Sequence, residues 1–97
     1  MATKFGDLLG VEFINAGFNT VLGPALDISR TWHFGRVTEN FGEDPFLVAK
    51  TAAQEIPAIQ AQHVIATMKH SAAYAQEQSR VGDMPLGVGP AVNEEIS

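Results

Sequence analysis

Two groups of residues in this sequence have the types needed to hold a polar small molecule. Arg36 and Glu39 stand three positions apart in a stretch mixing glycine with charge, and Lys69 and His70 directly follow the apolar run 64–68. Arginine and lysine are pure donors at ordinary pH, imidazole can donate and accept, and carboxylates at Glu39 and Asp27 can orient them. Such a set grips hydroxyl groups, because charge-assisted hydrogen bonds are roughly twice as strong as neutral ones. Residue types alone carry the reading as far as a polar small-molecule site and no further.

Competing chemistries fit less well. His33, His63 and His70 lie on separate segments without the H-E-x-x-H spacing of a helical metal site, so no metal is assigned. The chain has no cysteine, which removes disulfides and thiolate zinc sites. Glu43 and Asp44 read better as residues serving a helix N-terminus than as a catalytic pair. Neither a G-x-G-x-x-G nor a Walker loop follows an expected strand, which argues against a nucleotide-binding unit. Trp32 and Tyr74 are open to two readings, stacking on a sugar ring or packing at the base of a loop.

The elements that must position these residues can be read from periodicity. Phe5, Leu8, Leu9 and Phe13 recur near helical spacing and predict a helix over 4–16, with Thr3 as N-cap and Gly17 as stop. The run 20–22, closed by Gly23-Pro24, predicts a buried strand. Residues 25–44 have no sustained period and are expected to form a long loop, a length that in compact domains is usually functional. Asp44 followed by Pro45 predicts an N-cap and first turn. The helix should run over 45–60, with Phe46, Ala49, Ala52, Ala53, Ile56 and Ile59 as its apolar stripe and a kink or a tightened last turn near Ala53 to Pro57. Residues 64–68 are nearly all apolar, as in a parallel strand buried on both faces. A short helix over 71–78 and a glycine- and proline-rich loop tail over 81–97 complete the expectation. The order gives an α/β class with a β-α-β crossover, in one unit spanning 1–97. In parallel sheets ligands bind at the carboxyl ends of the strands, so both polar groups should face one rim.

Composition bounds the partners. The 97 residues are 45% hydrophobic with net charge −5 and six basic residues, which argues against a phosphate-backbone partner and hence against nucleic acid. No apolar run approaches the roughly 18 residues of a membrane span, and Met1-Ala2-Thr3-Lys4 lacks the regions of a signal peptide. The compartment stays open.

Taken together, the blocks Gly23-Pro24-Ala25-Leu26-Asp27-Ile28-Ser29-Arg30, G-R-x-x-E-x-F-G-E-D-P from Gly35 to Pro45, and V-I-A-T-x-K-H from Val64 to His70 resemble the N-terminal domain of glycoside hydrolase family 3. The resemblance covers nearly the whole chain, with both principal motifs in order and the expected helix between them. It implies part of a (β/α)8 TIM barrel from a retaining, exo-acting enzyme of the β-glucosidase or β-xylosidase type that needs no cofactor. On that resemblance Arg36, Lys69 and His70 bind hydroxyls of the terminal sugar of a β-linked substrate, with Glu39 and Asp27 in support. Phe34 stands where relatives often have Trp and Ser71 where they commonly have Phe, which leaves substrate preference open. The K-H-F-P-G-H-G-D loop of the N-acetylglucosaminidase branch is missing.

Retaining hydrolysis needs two carboxyl groups about 5 to 5.5 Å apart. The resemblance places the nucleophilic Asp in an S-D-W-like segment after the K-H pair and the acid/base later still, so no catalytic residue is assigned within 1–97, and the chain alone is expected to be inactive. The rival expectation is a non-catalytic binding module. Two barrel strands cannot close a cylinder of eight, and open edges favour self-association.

Overall fold

The computed structural model of the chain describes residues 1–32, 34–70 and 74–75. Helix α1 spans Ala2–Asn15, strand β1 Thr20–Val21, helix α2 Pro45–Ala61 and strand β2 Ile65–Ala66. The two strands pair in parallel, Thr20 opposite Ile65 and Val21 opposite Ala66, giving a small α/β unit of two helices and a two-stranded sheet. The expected helix over 71–78 and the loop tail over 81–97 fall largely or wholly outside the described residues.

The helix ends follow local chemistry in three places out of four. At the end of α1, Gly17 takes φ +87°, a region that costs glycine little. Its amide donates to Ile14 O at 3.0 Å and the Phe18 amide to Phe13 O at 2.8 Å, the paired bonds of a Schellman motif. The Phe13 and Phe18 rings meet at 5.9 Å and supply its apolar contact. Asp44 caps α2 by accepting from the Phe46 amide at 3.0 Å, with Pro45 in the first turn. Gln62 closes α2, donating its amide to Ile59 O at 3.1 Å. The start of α1 differs from expectation. Thr3 lies inside the helix and Met1 is the N-cap without a side-chain bond, because the Phe5 amide already reaches Met1 O at 3.0 Å.

Packing between the helices corrects the stripe expected on α2 and buries two glycines on α1. The buried positions of α1 are Gly6 and Gly10, one turn apart. A Cβ at Gly6 would lie 2.6 Å from Glu55 O and 2.8 Å from Ala58 Cβ, and one at Gly10 would lie 2.7 Å from Gln62 Cβ. The two backbones approach so closely that only glycine fits, although glycine inside a helix costs about 1 kcal/mol relative to alanine. Against them α2 turns Val48, Ala52, Glu55, Ala58 and Ile59 inward. Ala52 and Ile59 of the expected stripe are buried and Ile56 is half-buried, but Phe46, Ala49 and Ala53 are exposed. Burial raises the Glu55 carboxyl above its ordinary value. Helix α2 runs unbroken through Pro57.

The core joins Val21, Ile59 and Val64, with Leu9, Phe13 and Ala66 packed against it. Along the run 64–68, Val64 is buried and Ala66 packs against the core while Ile65 and Met68 are 60% and 61% exposed, so burial on both faces does not hold for these residues. Phe5, Leu8, Phe18 and Leu22 also stay exposed and line a groove of about 730 Å³.

The segment 25–44 is more ordered than an irregular loop. Val37–Glu39 forms a 3-10 turn, and Ala25 bridges to Asn40 on one side and to Lys69 on the other, both in parallel. The Lys69 amide donates to Pro24 O at 3.1 Å and the Leu26 amide to Lys69 O at 2.6 Å. Parallel pairing thus resumes beyond the named strands, and Ala25 becomes the middle of a three-segment ladder. That ladder holds both polar groups at the carboxyl ends of the strands.

Candidate functional site

Glu39 is the point on which the two cations converge. Arg36 Nε donates to Glu39 Oε1 at 2.7 Å and an Arg36 terminal nitrogen donates to Oε2 at 2.8 Å, a two-pronged pair that fits the planar fork of a guanidinium. Lys69 Nζ donates to the same Oε2 at 3.2 Å. The 3-10 turn makes the first contact possible by wrapping residues 36 and 39 onto one side, and the Ala25 ladder brings residue 69 to meet them.

Exposure decides what this triad is worth. The Arg36, Glu39 and Lys69 side chains are 36%, 41% and 25% exposed, so their pairing adds little to folding, since water screens exposed ion pairs and holding long side chains in place costs entropy. The ammonium has three N–H donors and Glu39 engages one, which leaves Lys69 able to donate to a ligand. Hydrogen bonds from Arg36 and then from Lys69 do most to lower the Glu39 carboxyl from the ordinary 4.5 to about 2; desolvation opposes them, and the charges of both cations add a lesser lowering. The bond to Glu39 also raises the Arg36 guanidinium further above its ordinary range, with a hydrogen bond to Tyr74 among the lesser causes. Because the folded carboxyl lies below its unfolded value, the triad contributes fully above 4.5 and its contribution is lost as the pH falls from there toward 2. Carboxyl-detected NMR should place the Glu39 midpoint near 2; a midpoint at the ordinary 4.5 would mean the triad is not formed in solution.

Asp27 organises the other half of the site. Its carboxylate is buried, and it accepts from the His70 amide at 3.1 Å, from the Tyr74 amide at 2.9 Å, and from His70 Nδ1 at 2.6 Å. A carboxylate only accepts, so the short contact assigns a proton to Nδ1 and leaves Nε2 as the ring nitrogen not engaged by Asp27. Asp27 therefore fixes both the backbone after Lys69 and the tautomer of His70. The Lys69–His70 peptide is cis.

All five residues singled out from the sequence lie along this rim: Arg36, Glu39 and Lys69 in one triad, Asp27 and His70 in an adjoining pair. Tyr74 was legible only as a residue with two readings. Its ring lies 4.5 Å from that of His70 and 5.3 Å from buried Phe34, with the Arg36 guanidinium carbon 5.8 Å from its centroid. No local pattern announces that arrangement. Trp32 is 80% exposed beside a cavity it shares with Ser29, Arg30 and Val37. His33 lies outside the described residues, and among those described no group of three or more His, Asp or Glu side chains is placed to hold a metal ion. Nor, among them, is any helix long and apolar enough to cross a membrane.

Comparison with known proteins places these residues in context. The model of the glycosyl hydrolase family 3 N-terminal domain matches residues 1–89. A probable beta-glucosidase of Arthroderma benhamiae is 39% identical over 95% of this chain and 11% of its own length. Probable beta-glucosidase F of Aspergillus fumigatus is 46% identical over 78% of the chain and 9% of its own. The thermostable beta-glucosidase B of Acetivibrio thermocellus is 38% identical over 84% of the chain and 11% of its own. The chain thus spans about a tenth of the length of the curated relatives it matches. No solved structure matches it.

Proposed function

The chain belongs to glycosyl hydrolase family 3, and from that premise we propose that it forms part of the N-terminal (β/α)8 barrel of a retaining, exo-acting β-glucosidase or β-xylosidase. In this reading it supplies a portion of the subsite for the terminal sugar of a β-linked substrate. Arg36 and Lys69 donate to sugar hydroxyls, and His70 Nε2 accepts from one. Glu39 holds the two cations at a fixed separation, while Asp27 holds the imidazole. The nucleophile and the acid/base belong to other parts of the longer protein, so the 97-residue chain by itself binds but does not cleave.

The observation that carries this reading is the convergence of Arg36 and Lys69 on one carboxylate, at 2.7 to 3.2 Å, at the carboxyl ends of two parallel strands. A structural ion pair would need only one cation. Two permanent cations sharing one acceptor leave donor capacity over, and a polyhydroxyl ligand is what such capacity suits.

Titration of the chain with methyl β-glucopyranoside, followed by NMR, tests the proposal. Saturable shifts gathered on the side chains of Arg36, Lys69 and His70 are expected, and shifts that are absent or scattered elsewhere would refute it. A second reading, a self-associating module without chemistry, draws support from the exposed groove of Phe5, Leu8, Phe18 and Leu22. Dimers in sedimentation together with no sugar response would favour it over the first.

A further inference from the structure

The triad and the Asp27–His70 pair share no side-chain hydrogen bond in the contacts described above, yet a sugar must meet both at a fixed spacing. Among the described residues, Tyr74 touches both. Its amide donates to Asp27 Oδ1 at 2.9 Å, while His70 Nδ1 sits on the other oxygen, Oδ2, at 2.6 Å. Its ring meets the His70 ring at 4.5 Å and 63°, an edge contact. The Arg36 guanidinium carbon lies 5.8 Å from the centroid of the same ring, within the range of a cation–π contact. Behind the ring, Phe34 packs edge-on at 5.3 Å and 85° and is itself only 3% exposed, so the phenol has a buried support.

We propose that Tyr74 is a positioning residue, whose ring sets the place of the Arg36 guanidinium relative to the Asp27–His70 pair. With an imidazole, a guanidinium and Phe34 around it, the ring acts as a spacer between ligand-binding groups. The tie is two-sided. The backbone of residue 74 is fixed by the same carboxylate that fixes His70, so a displacement of either half is transmitted through one rigid aromatic side chain. The functional meaning of this spacing rests on the proposed sugar subsite, but the spacing itself can be measured without any sugar.

Two readouts on the 97-residue chain serve, in the parent and in Tyr74→Leu and Tyr74→Phe. One is the solvent-exchange rate of the Arg36 Nε–H, which is protected while it donates to Glu39. The other is the Glu39 titration midpoint, which Arg36 does most to lower. Removing the aromatic face in Tyr74→Leu should speed exchange about two- to fivefold, the range expected for loss of an exposed cation–π contact, and move the Glu39 midpoint upward. Tyr74→Phe keeps the face but loses the hydroxyl that hydrogen-bonds Arg36, and should fall between the parent and Tyr74→Leu on both. Loss of mere packing bulk would lower the melting temperature without moving the Glu39 midpoint. Unchanged exchange and midpoint in a folded Tyr74→Leu, or a Tyr74→Phe indistinguishable from it, would overturn the proposal. If Tyr74→Leu does not fold, Tyr74→Met, which keeps the bulk without a ring, is read by the same criteria. Since no sugar is present, failure here leaves the subsite reading standing. Conversely, a chain that ignores methyl β-glucopyranoside but shows these Tyr74 effects loses the subsite and keeps the positioning role.

Discussion

Replacing Asp27 with alanine should cost the chain about 3 kcal/mol of folding stability, because the lost carboxylate leaves the amides of His70 and Tyr74 without their acceptor. Each orphaned donor costs about 1–3 kcal/mol where water cannot replace the bond, and the loss of the charge-assisted bond to His70 Nδ1 adds to them. Against this runs the relief of removing a charged group from a site only 3% exposed. The balance should stay unfavourable, because three donors remain aimed at an empty position. Asp27→Asn keeps one accepting oxygen but turns an NH2 toward a donor, and should fall between the two. Denaturant unfolding of both variants checks this, and a loss below about 1 kcal/mol for Asp27→Ala would mean that water solvates the amides freely. The alanine variant should also leave His70 as a mixture of tautomers, visible in its ring nitrogen shifts, since nothing else described holds the proton on Nδ1. Domains of this size are stable by only about 5–15 kcal/mol, so the effect is a large share of the whole.

Lys69→Ala in the full-length enzyme to which this segment is proposed to belong should have the opposite profile, a large loss of activity with little loss of stability. Its side chain is 25% exposed and Arg36 alone keeps two bonds to Glu39, so the fold does not depend on it. The ligand does. A missing charge-assisted bond to a sugar hydroxyl should remove about 1.5 to 3 kcal/mol of transition-state binding, which is about 10- to 150-fold in kcat/KM. If the bond is equally strong in the bound substrate, the loss appears in KM; if it tightens as the ring distorts, kcat falls too. An unchanged specificity constant would remove Lys69 from the site and with it the argument from shared donors.

These two residues show how differently a site can be supported. Asp27 is buried, satisfied three times over and stabilising; Lys69 is partly exposed and adds little to stability. The buried groups hold the frame, and the exposed ones keep capacity for something outside the chain. Glu39 stands between them, half open to solvent yet held well below its ordinary pKa by its two cationic partners.

The sequence by itself determined whatever depends on neighbours within a turn or two. The Asp44–Pro45 start of α2 and the Gly17 stop of α1 follow from groups a few residues apart, and such contacts carry little loop-closure entropy. The parallel strands at 20–21 and 65–66 were legible too, because apolar runs bounded by turn residues and separated by a helix have few other arrangements. Which faces are buried was not legible. Hydrophobic periodicity marks where a side chain would favour burial, whereas Gly6 and Gly10 are buried because they lack side chains, and only the position of α2 makes that an advantage. The site divides in the same way. Residue types proposed its members, but the bonds that make it a site join residues 30, 43 and 47 positions apart. Contacts of that span are fixed by the ladder through Ala25, where strand register and not local preference decides which side chains meet.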